Sequence, residues 1–138
     1  MTEFRSKFEK SFADKLTKAG LEYVYEGTSL DYLKPINKGW CKACESKKVF
    51  QRSVYIPDFF FPEYNFYIEC KGKWTGDDRK KHLAVRETNP DVDIRFVFMS
   101  DNKLHKNSST RYSDWCIQHG FSFTIGGRSA EIPKGWFV

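Results

Sequence analysis

A chain of 138 residues has room for one compact domain and too little for two ordinary ones. Hydrophobic residues at 40% and aromatics at 17% can build a core, and no apolar run approaches the roughly 18 residues of a membrane span. Twenty-three Lys and Arg against eighteen Asp and Glu leave +5, an excess that favours an anionic partner.

The N-terminal Met-Thr-Glu-Phe-Arg-Ser-Lys lacks the apolar stretch of a secretory signal, so an intracellular protein is expected. In a reducing compartment Cys41, Cys44, Cys70 and Cys116 read as free thiols or metal ligands rather than a disulfide framework.

In chain order, Phe4, Phe8, Phe12 and Leu16 recur every four residues and predict a helix over 3–19, stopped by Gly20. Glu9 lies at the edge of that stripe. "LEYVYE" predicts a strand. Residues 34–48, "KPINKGWCKACESKK", show no period and read as a loop or insertion. "VFQRSVYIPDFFF" predicts a second strand closed by Pro62, and "FYIECKG" a third. A short turn joins these two, so they should pair antiparallel. "TGDDRKKHLAVRETNP" predicts a helix capped by Thr75, with Asp77 and Asp78 at its positive end and Pro90 beyond it. "DIRFVFM" predicts a buried strand. "SSTRYSDWCIQHG" predicts a helix with Tyr112, Trp115, Cys116 and His119 inward, and "FSFTI" a last strand. The order is helix, three strands, helix, strand, helix, strand: an α/β domain with a central mixed sheet flanked by helices.

The chemistry concentrates around 58–71. Strand side chains alternate, so Glu69 and Lys71 share one face while Cys70 points to the other. Antiparallel pairing can bring Asp58 beside Glu69. Two carboxylates that close repel, and one must gain a proton unless a cation sits between them. Hard oxygen ligands suit Mg²⁺ or Mn²⁺. Lys71 can then orient or deprotonate a water, or hold charge growing on a phosphate. A lone Glu-x-Lys is usually a solvated strand face; Pro-Asp on the partner strand is what turns the pattern towards phosphodiester cleavage.

Pro57-Asp58 followed by Glu69-x-Lys71 resembles the PD-(D/E)XK nuclease superfamily. "FRSKFE" at 4–9, "YIPDFFFP" at 55–62 and "ECKGKWTGDDRKKHLAVRE" at 69–87 are similar to the phage endonuclease I branch of it, resolvases of four-way (Holliday) junctions. "NPDVDIRFVF", "KLHKNSST" and "WCIQHG" extend the likeness in the right order. The resemblance implies a restriction-endonuclease-like fold and a single nuclease domain over 1–138. It implies catalytic positions at Glu9, Asp58, Glu69 and Lys71. It also implies two Mg²⁺ or Mn²⁺ ions held by Glu9, Asp58, Glu69 and the Cys70 main-chain carbonyl. The family is a domain-swapped homodimer, so Glu9 is expected to complete the partner's site.

DNA contacts are expected from Arg5, Lys7, Lys73, Arg79, Lys80, His82 and Arg86, and from Lys103 and Lys106 in a second clamp with His105, Ser109 and Thr110. Helical spacing puts Arg79, His82 and Arg86 on one side and turns Lys80 and Lys81 away. Such contacts position a backbone without reading bases, although a charge run is also the ordinary make-up of a solvated face. His82 is expected to hold a phosphate or a structural hydrogen bond, and His119, Cys70 and Cys116 to lie in the core.

Two departures from the family stand out. The sequence ends at Val138 without a basic C-terminal tail, which predicts weaker non-specific DNA affinity. Cys41-x-x-Cys44 falls in the 34–48 insertion and is half of a zinc site, which two copies of the chain could complete; two free thiols in a loop is the plainer reading. The alternatives to a junction resolvase are a site-directed DNA nickase of a phage or mobile element, a catalytically silent DNA-binding module, and a zinc-stabilised structural protein.

Overall fold

The computed structural model describes residues 4–36 and 49–138. Cys41, Cys44 and most of the expected insertion lie outside the described residues. No helix among the described residues is long and apolar enough to cross a membrane.

Helix α1 spans Lys7–Lys18 and starts four residues later than expected, because the Ser6 side chain accepts the Glu9 N–H at 3.1 Å and caps it there. Strand β1 is only Val24–Tyr25. The predicted "LEYVYE" strand is cut short by Glu26, held at φ 49°, and by Gly27, where a Cβ would stand 2.3 Å from Val24 Cγ1.

Strand β2, Leu30–Ile36, runs on through Lys34-Pro35, which the sequence assigned to the insertion. It pairs antiparallel with β3, Val49–Tyr55, from Leu30↔Tyr55 to Ile36↔Val49. Because β2 has a partner on one side alone among the described residues, a proline costs no ladder bond on its open edge.

The predicted strand 49–61 is two strands. Pro57 cannot donate to a ladder, and the chain leaves the β2–β3 ribbon at Ile56-Pro57 to enter the main sheet as β4, Phe59–Phe61. Five strands, not three, therefore precede the second helix. Strand β5, Phe66–Lys71, pairs antiparallel with β4, with Phe59↔Ile68 and Phe61↔Phe66 in register; Asn65 at φ 55° makes the turn between them.

Helix α2, Gly76–Thr88, opens with a reciprocal box in which Thr75 and Asp78 each accept the other's N–H. Strand β6, Ile94–Phe98, and strand β7, Ser122–Ile125, add parallel to β5 and to one another. Between them lies α3, Tyr112–His119, closed by Gly120 in the left-handed region. The mixed sheet runs β1-β4-β5-β6-β7.

Alternation along the strands divides the core. Phe59, Phe61, Phe66, Ile68, Cys70 and Val97 meet α1 through Phe8, Phe12 and Leu16. On the opposite face, Phe96 and Phe98 meet α2, α3 and the ribbon through Val85, Trp74, Tyr112, Trp115 and Tyr55. Each fully buried side chain of this size contributes about 1.5–3 kcal/mol. The ends of β4 and β5 nearest the ribbon are thereby fixed between two packed faces.

Candidate active site

Asp58 sits at the entry to β4, and Glu69 and Lys71 near the end of β5. The Asp58 side chain accepts the Cys70 N–H through Oδ2 at 2.9 Å, and the Asp58 N–H donates to Glu69 Oε1 at 3.2 Å. Glu69 Oε1 also accepts the Tyr55 hydroxyl at 3.0 Å, and Glu69 Oε2 lies 3.3 Å from Lys71 Nζ. All three acids that the sequence singled out are buried: Glu9, Asp58 and Glu69 are 7%, 6% and 4% exposed.

On the α1 side, carboxylate oxygens of Glu9, Glu26 and Asp58 lie within 4.8 Å of one another. Tyr25 donates its hydroxyl to Glu9 Oε2 and accepts the Arg5 N–H at 3.1 Å. Arg5 Nε stands 2.8 Å from Glu26 Oε1, and the Glu26 N–H donates to the Asp58 carbonyl at 2.9 Å. Asp58 thus stands between two acidic groupings, Glu69 with Lys71 towards α2 and Glu9 with Glu26 towards α1. Glu9 reaches Asp58 of its own chain.

Four carboxylates meet two cations, Lys71 and Arg5. Burial, then the charges of Glu69 and Glu9, push the Asp58 carboxyl up to about 9. Burial likewise raises Glu69, and Lys71 and the Tyr55 hydroxyl pull it back only in part. For Lys71 burial works against the charge, but the neighbouring Glu69 outweighs it and the ammonium is held above its usual range. Burial, with Glu69 and Asp58 next to it, keeps the Tyr55 hydroxyl protonated and therefore a donor. This surplus of buried negative charge fits a divalent cation with oxygen ligands. Asp58, Glu69 and the Cys70 carbonyl would hold one ion, and Asp58, Glu9 and Glu26 another.

The family model for Phage endonuclease I matches residues 1–137. The chain belongs to that family. It is 40% identical over 121 residues to Endodeoxyribonuclease 1 of Enterobacteria phage T3, covering 87% of this chain and 70% of that protein. It is 37% identical over 134 residues to Endonuclease I of Escherichia phage T7, covering 96% and 77%.

The expected DNA contacts of this phage endonuclease I chain divide by burial. Lys7, Lys73, Lys80, Lys103 and Lys106 are exposed. Lys103 precedes, and Lys106 lies within, a loop closed by the Leu104 N–H to the Thr110 carbonyl at 2.9 Å. Arg5 is exposed but engaged with Glu26.

The α2 side carrying Arg79, His82 and Arg86 faces the protein, which corrects the expected orientation. His82 is 1% exposed against Tyr55, Trp74 and Phe96, with both ring nitrogens lacking a protein partner, so it reaches no phosphate. Arg86 donates to the His119 carbonyl and stacks on Phe121 at 4.2 Å, and Arg79 donates to the Trp74 carbonyl at 2.8 Å. Spacing fixes which residues share a face; which way the face turns is set by Val85 and Ala84 packing on the sheet side. His119 is half-buried, with its ring on Trp115 at 4.2 Å, rather than a core residue.

Glu26, Tyr25 and Tyr55 were missed in the sequence. Tyr55 is the last residue of β3, three before Asp58, and only the break at Pro57 reveals that it turns back to Glu69. Glu26 gives no signal beyond standing before Gly27.

Proposed function

We propose that this protein is a divalent-metal-dependent DNA endonuclease that acts on branched DNA, resolving or nicking four-way junctions by phosphodiester hydrolysis. One observation carries the reading: Glu69 accepts the Asp58 N–H, Asp58 accepts the N–H of the next residue, Cys70, and the Lys71 ammonium lies 3.3 Å from Glu69. Family membership supports DNA as the substrate.

A bound Mg²⁺ or Mn²⁺ would supply Lewis acidity at the scissile phosphate. The chain's own groups do the positioning. Asp58, Glu69, Glu9 and Glu26 would hold the ions, with their carboxylates set beside one another by the contacts described. Because Lys71 stays protonated at neutral pH, it acts as a cation. It would orient the attacking water and balance the charge that grows on the phosphate as the new P–O bond forms and the leaving P–O bond breaks, the water's proton passing to solvent and the departing oxygen taking one up from solvent. The exposed Lys73, Lys80, Lys103 and Lys106 would hold flanking phosphates.

Resolution of a four-way junction requires two cuts on opposing strands. We read the working form as a homodimer that presents two such sites; Glu9 reaches Asp58 within the one chain described, and an exchange of α1 between two copies would make the same contact between subunits. Sedimentation of the purified chain tests the dimer.

The deciding experiment is cleavage of a labelled four-way junction beside its linear duplex arms in Mg²⁺, with wild type and Glu69→Gln in parallel. Paired cuts confined to the junction and lost in the variant establish the reading. Discrete nicks in linear duplex would instead make the protein a site-directed nickase. Tight junction binding without cutting would make it a silent module.

A further inference from the structure

We propose that Tyr55 and Tyr25 are positioning residues for the metal-holding carboxylates. Each ties down one oxygen of an outer acid and so fixes the rotation of that carboxylate beside Asp58. The inference rests on the proposed metal site and adds the groups that keep it in shape.

Tyr55 is 1% exposed, and its ring is covered by the His82 ring edge-on at 5.2 Å and by Lys81 Nζ at 4.8 Å. A phenylalanine would fill the same volume. The hydroxyl is therefore not there for packing, and a buried hydroxyl costs free energy unless it is paired. Its partner is Glu69 Oε1, which also receives the Asp58 N–H. Two donors converge on one oxygen of Glu69 and fix the rotation of its carboxylate, leaving Oε2 on the side of Lys71.

The other side of Asp58 repeats the device. The Tyr25 hydroxyl donates to Glu9 Oε2 and is itself held by the Arg5 N–H. Its ring stacks edge-on with Phe4 at 4.5 Å and tilts against Phe59 at 5.3 Å, so the ring does not swing freely. Without Tyr55, Glu69 Oε1 would keep a single donor, the Asp58 N–H, and without Tyr25 the Glu9 carboxylate would face the repulsion of Asp58 and Glu26 with no hydrogen bond among those described. Hydrogen bonds from an outer shell fix a carboxylate's free lone pairs in direction, and loss of one typically costs 10–100-fold in metal affinity.

Calorimetric titration of Mn²⁺ into metal-free protein tests this with wild type, Tyr55→Phe and Tyr25→Phe. Tm and metal-free junction binding are measured on the same preparations, with cleavage followed against Mn²⁺ concentration. Tyr55→Phe is expected to weaken Mn²⁺ binding by about tenfold. Its Tm and metal-free DNA affinity should stay unchanged, and most of the cleavage rate should return at saturating Mn²⁺. Tyr25→Phe should move in the same direction by less, since its ring is only half-buried. A Tyr55→Phe protein with lowered Tm and wild-type Mn²⁺ affinity overturns the proposal, because the hydroxyl is then structural. Wild-type affinity with unchanged Tm overturns it as well. A wild type that takes up Mn²⁺ but cuts no DNA sinks the endonuclease reading alone, and the tyrosine result still stands or falls on the affinities. A wild type that takes up no Mn²⁺ overturns both.

Discussion

Asp58 and Glu69 hold each other's strands: Asp58 accepts from the residue after Glu69, and Glu69 accepts from the main chain of Asp58, at 2.9 and 3.2 Å. Asp58 cannot turn away without breaking its bond from the Cys70 N–H, nor Glu69 without breaking its bond from the Asp58 N–H. Like charges are kept close by the same contacts that join β4 to β5. The arrangement trades stability of the metal-free protein for a site ready to receive a cation.

That trade sets a pH dependence. The unfolded chain ionises Asp58 near 4, whereas in the folded chain its carboxyl is pushed up to about 9 by burial and then by Glu69 and Glu9. Between these values the folded state binds a proton that the unfolded state has lost. The group's stabilising share is therefore complete below about pH 4 and drains away as pH climbs towards about 9. Asp58→Asn should abolish cleavage and raise the Tm of metal-free protein at pH 8.5, by about 3 °C for each kcal/mol regained. Thermal scans of both proteins in chelator from pH 5 to 9 decide it, and parallel Tm profiles would refute it.

His82 works in the opposite direction. Burial, then the nearby Lys71 and Lys81 charges, lower its pKa to about 3, while the unfolded chain takes up the proton near 6.5. The folded protein therefore loses stability as pH falls from about 6.5 towards 3, at up to about 1.4 kcal/mol per pH unit from this group. Urea unfolding at pH 7 and pH 5 should show a smaller loss in His82→Phe than in wild type. Equal losses would mean that His82 gains its proton without unfolding.

Arg86 and Lys80 separate stability from DNA affinity. Arg86→Ala removes a bond to the His119 carbonyl and the stacking on Phe121, and should lower stability by about 1–2 kcal/mol with junction affinity intact. Lys80→Ala, Lys103→Ala and Lys106→Ala should leave Tm unchanged, and each should flatten the salt dependence of DNA binding by roughly one unit of slope. Fluorescence anisotropy across a salt series reads both arms, and a changed slope in Arg86→Ala would contradict the assignment.

Glu26→Gln keeps the side-chain shape at a residue held in the left-handed region and removes one of the acids beside Asp58. It should lower Mn²⁺ affinity or stoichiometry while Tm holds, the relieved repulsion with Asp58 and Glu9 offsetting the weakened pairing with Arg5. Unaltered Mn²⁺ uptake would leave Glu26 as no more than the partner of Arg5.

The antiparallel β4–β5 pair was legible because a short turn between two apolar runs dictates it, and with it came the neighbourhood of Asp58 and Glu69. Helix α2 was legible from Thr75 and Asp78, which cap it locally. Tyr55 and Glu26 were not legible, because their contacts depend on where Pro57 diverts the chain and on a left-handed turn at 26, both tertiary outcomes. The inward turn of His82 and Arg86 was hidden for a related reason. A helix periodicity names a face, and only the neighbouring Trp74 and Phe96 decide whether that face sees solvent.

The β2–β3 ribbon touches the site at one end only, where Leu30 pairs with Tyr55, while Ile36 and Val49 close the described pairing six residues away, about 20 Å along the strands. A change at exposed Phe50, one pair in from that far end, therefore stands well away from the register at Tyr55. An experimenter can carry a fluorophore or affinity handle on Phe50 while the hydrogen bond from Tyr55 to Glu69 keeps its place.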